Sequence, residues 1–288
     1  MSIVYLNGEY LDADDACVSV LDRGFIFGDG VYEVIPCYGG HLFRLEQHLQ
    51  RLQNSLDAIR LENPLSDLQW HETLEKIVQQ NTTSAADQSI YLQVTRGSAK
   101  RDHVFPDKVS QTVFIMSNPM LPVSSEKLEK GIAAITHEDI RWRYCHIKSI
   151  ALLPNTLMRQ IAREAGADEA ILDRDGNITE GAASNIFVVK DGKIMTPPKG
   201  ECLLPGITRD LILEIAYDAG LDATETDISL EQLKNADEIW LTSSTKEILP
   251  VTLLNGNPVG NGKPGACWQD MIKRYQDHKQ QLRLGKAR

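Results

Sequence analysis

Three two-residue turns constrain this 288-residue chain more than any other feature. Asn7-Gly8, Asp175-Gly176 and Asp191-Gly192 each separate short strand-like runs. Such pairs adopt the positive φ angles of tight hairpin turns, so the runs they join should lie antiparallel. The first pair joins Ile3–Leu6 to Glu9–Leu11. The other two link a meander of three expected strands, Glu169–Asp173, Ser184–Lys190 and Lys193–Thr196. Further strands are expected at Val31–Tyr38, Ser89–Arg96, Gln111–Ser117, Ile132–Thr136 and Glu238–Thr242.

Helices are expected beside these strands rather than alternating with them. From Leu42, apolar residues recur at Leu45, Leu49, Leu52, Leu56 and Ile59, a spacing of three and four that marks an amphipathic helix. Others are expected at Leu68–Gln79, at Asn155–Ala165 before Gly166, and at Cys267–Gln281. One more follows Thr208, which is placed to cap it; Leu211, Ile212, Ile215 and Ala216 share its face, and it stops at Gly220. Strand runs with adjacent helices point to an α+β fold. Pro119 and Pro122 interrupt the pattern, dividing the chain into 1–118, a linker at 119–123, and 124–288.

A net charge of −10 disfavours nucleic acid or an anionic membrane as partner. With 42% apolar and 24% charged residues the composition is that of a soluble globular protein, and no run is long enough to cross a bilayer. The N-terminus lacks a basic stretch followed by an apolar one, so no signal peptide is expected. Five widely spaced cysteines without a C-x-x-C pair suggest neither a zinc site nor a disulfide framework, but idle thiols in a reducing cytoplasm. The basic tail (Arg283, Lys286, Arg288) reads as a frayed end.

The candidate chemistry is local. Phe25-Ile26-Phe27-Gly28-Asp29-Gly30 opens a strand, whereas a dinucleotide-binding glycine loop opens a helix, so it reads as a tight turn. No metal motif is present: His137-Glu138-Asp139 lacks a second histidine at helical spacing. Leu204-Pro205-Gly206-Ile207-Thr208-Arg209-Asp210 is a glycine turn running into a helix, an arrangement able to bind phosphate. Ser243-Ser244-Thr245 adds hydroxyls after a strand, and Arg51 lines up with Arg44, His48 and Ser55 on what reads as a solvated helix face. Lys148 lies among apolar residues, a setting that suits a Schiff-base amine because burial disfavours an ammonium.

Ile147-Lys148-Ser149, Glu180-Gly181-Ala182-Ala183-Ser184-Asn185-Ile186-Phe187 and Leu204-Pro205-Gly206-Ile207-Thr208-Arg209 together resemble the fold type IV pyridoxal-phosphate enzymes. The likeness runs in order from Leu21-Asp22-Arg23-Gly24 to Pro250-Val251. It implies a smaller N-terminal α/β domain and a larger C-terminal cofactor domain with a barrel-like sheet. It also implies that Lys148 carries pyridoxal 5′-phosphate and shuttles a proton, while Glu180 pairs with the pyridine nitrogen. Leu204 would pack on the ring, and Ile207, Thr208, Arg51, Ser244 and Thr245 would hold the phosphate.

Tyr32-Glu33-Val34 and Arg101-Asp102-His103-Val104-Phe105-Pro106 resemble the D-amino-acid transaminases within that family. The likeness implies a carboxylate trap of Tyr32, Arg101 and His103, the last two on a polar loop (Gly97–Lys108) reaching in from the other subunit of a homodimer. The substrates would then be a D-amino acid and a 2-oxo acid. Branched-chain L-amino-acid aminotransferase, aminodeoxychorismate lyase and a catalytically silent cofactor-binding protein are the alternatives. Ala182 and Ala183 replace two serines of that group.

Overall fold

The structure is a computed structural model and describes residues 2–81 and 87–286. The chain forms two compact units. The first comprises Met1–Leu121, Ile147–Ala151 and Gln281–Arg288; the second comprises Pro122–His146 and Leu152–Gln280.

The first unit contains β1 (Ile3–Leu6), β2 (Glu9–Asp12), α1 (Arg23–Phe27), β3 (Gly30–Tyr38), β4 (His41–Leu42), α2 (Leu45–Ala58), α3 (Asp67–Gln80), β5 (Asp87–Thr95) and β6 (Thr112–Pro119). Its strands form an antiparallel sheet ordered β2-β1-β6-β5-β3-β4. Asn7 and Gly8 take φ values of 51° and 104°, the turn their sequence demands. Along β5 the buried residues Ile90, Leu92 and Val94 alternate with less buried ones, so one sheet face supplies the core. Leu45, Leu49, Leu52 and Leu56 of α2 pack on that face with Trp70, Leu74 and Ile77 of α3. Truncating one such buried leucine to Ala costs about 2–5 kcal/mol.

Two expectations change here. The glycine turn before β3 is preceded by α1, too short to show helical periodicity in sequence. The basic tail is not simply frayed, because Arg283 binds both carboxylate oxygens of Asp87; Arg288 lies outside the described residues.

The second unit contains α4 (Ser125–Lys130), β7 (Ile132–Glu138), α5 (Leu153–Glu164), β8 (Glu169–Arg174), β9 (Asn177–Gly181), β10 (Asn185–Lys190), β11 (Lys193–Thr196), α6 (Ile207–Asp218), β12 (Ala223–Glu225), α7 (Leu230–Lys234), β13 (Glu238–Ser243), β14 (Glu247–Leu254) and β15 (Asn257–Pro258). It also takes most of α8 (Ala266–Arg283). Its sheet is a curled half-barrel ordered β12-β11-β10-β13-β14-β7-β8-β9, with β15 added on β14. The α+β class holds, with fifteen strands and eight helices among the described residues.

The expected three-strand meander is corrected. Four strands occupy that stretch, and β10 pairs with β11 and β13 rather than with β8. A tight turn in which Gly181 N–H donates to Ser184 C=O redirects the chain between β9 and β10. An added Cβ at Gly181 would approach Ser184 Oγ within 2.2 Å, so any side chain there would displace the Ser184 hydroxyl. Strand β14 was not among the expected strands; Pro250 lies within it, paired with Trp240.

Candidate active site

In the first unit, alternation along β3 turns Glu33 inward beside Val31 and Ile35. The helix stripe read as solvated meets it there: Arg44, His48, Arg51 and Ser55 are all buried. A buried carboxylate requires cations and donors, and Arg51 and His48 supply them. Glu33 Oε1 accepts from Arg51 Nε at 2.8 Å, and Oε2 accepts from Arg51 Nη2 at 2.7 Å. His48 Nδ1 lies 2.8 Å from Oε2. Burial pushes the Glu33 carboxyl up, but the Arg51 charge and the bonds from Arg51 and His48 outweigh it and hold it well below the usual carboxylate range. Burial, with the Arg51 and Lys148 charges, lowers the His48 pKa against the pull of Glu33. A neutral His48 donating from Nδ1 leaves Nε2 as an acceptor, and that buried atom has no partner.

Lys148 belongs to this unit. Its N–H donates to Ser55 Oγ at 3.2 Å, and its C=O accepts from Tyr32 N at 3.0 Å. An isolated bridge from Ser149 to Val31 completes its docking on β3. Lys148 Nζ lies 4.2 Å from the centroid of the Tyr32 ring. The unit therefore brings together Tyr32, Arg51 and Lys148, three of the residues singled out in the sequence.

The second unit gathers another set around Glu180, which is buried at the end of β9. Its Oε2 accepts from Asn185 Nδ2 and from Leu204 N, each at 3.1 Å, and its Oε1 is bonded to Arg141 Nη1. Arg141 is shared: Nε and Nη2 each donate to Asp139 at 2.8 Å. Asp139 also accepts from Thr179 Oγ1 at 3.0 Å and pairs with Arg174 Nη2 at 3.1 Å. Burial raises the Glu180 pKa above its ordinary value, despite opposition from Arg141 and the Leu204 N–H.

Asn185 couples this carboxylate to the glycine turn, since Nδ2 also donates to Leu204 C=O at 2.8 Å. A Cβ at Gly206 would come within 1.9 Å of Asn185 Oδ1, so only glycine permits this approach. Gly206, not Thr208, caps α6, and it offers no side-chain hydrogen bond. The first amides of a helix have no acceptor within it, and Thr208 Oγ1 is buried with no partner. Ser244 and Thr245 occupy the turn joining β13 to β14.

Arg101 and His103 lie on an exposed stretch of loop 97–108. Their side chains rest near the Phe27 ring, each 5.4 Å from its centroid, and neither has a hydrogen-bond or ion-pair partner among the described residues. The sequence reading missed Glu33, His48, Asp139, Arg141 and Asn185 as parts of these clusters. Glu33 and Asn185 lie inside quoted motifs; nothing in the Arg141 neighbourhood distinguishes it in sequence.

The family described as Amino-transferase class IV matches residues 30–254. A D-alanine aminotransferase from Bacillus licheniformis is 40% identical over 262 residues, covering 91% of this chain and 92% of that one. One from Staphylococcus epidermidis is 38% identical over 278 residues, covering 96% and 98%. Among solved structures, branched-chain amino acid aminotransferase from Escherichia coli superposes with a TM-score of 0.91 at 30% identity, covering 100% of this chain and 96% of that one. A T.th. branched-chain amino acid aminotransferase with pyridoxamine 5′-phosphate gives 0.92 at 26% identity, covering 99% and 96%. Agreement over almost the whole length, in sequence and in fold alike, makes this chain a member of the class IV aminotransferases, with the fold type IV architecture.

Proposed function

We propose that this aminotransferase moves the amino group of a D-amino acid, D-alanine or D-glutamate, to pyruvate or 2-oxoglutarate, with pyridoxal 5′-phosphate as cofactor. The observation that carries the D-amino-acid reading is the Arg101/His103 pair, exposed and without partners among the described residues. A guanidinium and an imidazole two residues apart suit a carboxylate. The D-alanine aminotransferases similar to this chain support the same reading.

The residues present fit the cofactor. The unpartnered Thr208 Oγ1 and the uncapped start of α6 suit a phosphate dianion. Ile207 and Thr208 would bind it through backbone N–H groups, joined by Arg51, Ser244 and Thr245. Bound pyridoxal phosphate supplies an electron sink for the substrate α-carbon. Lys148 would anchor the cofactor and move the proton between the substrate α-carbon and the cofactor's exocyclic carbon. Glu180 would accept the pyridine N–H and keep that nitrogen protonated, and Leu204 would pack on the ring. Tyr32, with Arg101 and His103 from the other subunit of a homodimer, would hold the α-carboxylate. The absence of hydroxyls at Ala182 and Ala183 bears on cofactor affinity and substrate range, not on these roles.

Among the described residues no helix is long and apolar enough to cross a membrane; we place the enzyme in the cytoplasm on its composition and cysteine usage. The likeness to branched-chain aminotransferase structures favours a second reading, transfer from L-Leu, L-Ile or L-Val. The two separate in the visible spectrum of the cofactor-loaded protein on adding D-Ala, D-Glu, L-Leu or L-Glu singly. Bleaching of the cofactor band by the D-amino acids alone is expected; bleaching by L-Leu and L-Glu alone would transfer the enzyme to the branched-chain group.

A further inference from the structure

The Leu21-Asp22-Arg23-Gly24 motif and the glycine turn after it have no role in the chemistry above, yet they build an unusually tied structure. Asp22 starts α1, accepting from Gly24 N at 2.8 Å through Oδ1 and from Thr112 Oγ1 at 2.6 Å through Oδ2. Gly24 is required there, because a Cβ would meet Thr95 Cγ2 at 2.4 Å. The helix ends at Gly28, in the left-handed region with φ 67°. This short element delivers Arg23 and, one turn later, Phe27; the next residue after its cap is Asp29.

Asp29 holds two buried arginines. Its Oδ2 accepts from Arg23 Nε at 2.7 Å and from Arg96 Nε at 2.9 Å. Each arginine then reaches loop 97–108 with another part of its guanidinium. Arg23 Nη1 donates to the Asp102 C=O at 2.6 Å, and the Arg23 backbone N–H donates to Gly97 C=O at 2.9 Å. Arg96 lies 3.7 Å above the Phe105 ring while Nη2 and Nη1 donate to Ile59 and Arg60 C=O at 2.7 and 3.2 Å. Arg23 also stacks on Phe27, 4.8 Å from its centroid, the ring that Arg101 and His103 rest against. The loop is thus pinned at the carbonyl between Arg101 and His103 and again at Phe105.

We propose that Arg23, Asp29 and Arg96 form a clamp that presets loop 97–108 for carboxylate binding, making them positioning residues for the amino-acid substrate. The inference rests on the carboxylate role given to Arg101 and His103. A loop already ordered before binding avoids the entropy of ordering it on the ligand.

The test is a double-mutant cycle on the cofactor-loaded enzyme with D-alanine, using Arg23→Lys, Arg101→Ala and the pair. Lysine cannot bond Asp29 and the Asp102 carbonyl together with a fork's geometry. Arg23→Lys is expected to raise KM about tenfold with kcat changed less than about twofold. Its effect should largely vanish in the Arg101→Ala background, as coupled sites require. Phe105→Ala, at an exposed position, should raise KM about threefold and serves if Arg23→Lys does not fold. An unchanged KM in Arg23→Lys and Phe105→Ala beside a raised KM in Arg101→Ala overturns the clamp and leaves the loop's role intact. Full additivity of Arg23→Lys with Arg101→Ala also overturns the clamp. An unchanged KM in Arg101→Ala overturns the loop's role, and the clamp with it.

Discussion

Glu33 in the first unit and Glu180 in the second are both buried, and both are bonded to an arginine, yet their pKa values move in opposite directions. The difference lies in how each arginine is shared. Arg51 gives Glu33 a two-pronged bond, and His48 adds a third donor, so the anion is locked. Arg141 directs its two-pronged bond to Asp139 and offers Glu180 only Nη1. Burial therefore prevails at Glu180, and a second carboxylate nearby raises it further. A locked anion suits a scaffold that aims Arg51. A more basic carboxylate suits a group that must hold a proton on a pyridine nitrogen. The same residue type with the same kind of partner thus takes two roles, set by the partner's other commitments.

The comparison breaks most sharply by neutralising each carboxylate. Glu180→Gln is expected to lower single-turnover rates at least about a hundredfold while the protein still binds pyridoxal phosphate, because general acid–base and electrostatic support of this kind is worth that much. Stopped-flow absorbance checks it, and wild-type rates would remove Glu180 from the chemistry. Glu33→Gln should instead act on stability, by about 3–5 kcal/mol in urea unfolding, since Arg51 would remain buried without its anion.

The pH dependence of these stabilities has opposite signs. Glu33 titrates below its usual 4.5, so its contribution is present above that pH and is lost as pH falls through its lowered value. Glu180 titrates above its usual 4.5, so the cofactor-free protein loses stability as pH rises from there through its raised value. Urea midpoints should therefore show Glu33→Gln less stable and Glu180→Gln more stable than wild type at neutral pH, both gaps closing on acidification. Gaps of the same sign would contradict the contrast.

The smallest effect is expected at Thr208. Replacing its unpartnered hydroxyl by the isosteric Val should stabilise the cofactor-free protein by up to about 1 kcal/mol and weaken cofactor binding about tenfold. Paired melting and equilibrium dialysis would show it; unaltered binding would take Thr208 out of the phosphate site.

Local signals in the sequence carried the hairpin at Asn7-Gly8, the leucine stripe of α2 and the glycine turn opening α6, because each depends on near neighbours. The burial of Arg44, His48, Arg51 and Ser55 did not show, since a polar stripe looks solvated until Glu33 of β3 is placed beneath it. Arg141 and Asp139 were hidden for the same reason: their bonds to Glu180 and Thr179 span some forty residues and exist only once β7 and β9 share a sheet. Lys148 was legible by motif, but its docking on β3 through Tyr32 and Val31 is a tertiary fact.

The contrast between the two carboxylates is tested most directly by carbon-13 NMR titration of glutamate-labelled, cofactor-free protein, with Glu33→Gln and Glu180→Gln assigning the two signals. The account expects the Glu180 carboxyl to titrate above 4.5 and the Glu33 carboxyl to remain ionised below it, for as long as the protein stays folded. Both carboxyls titrating together, or Glu180 the lower of the two, would contradict it.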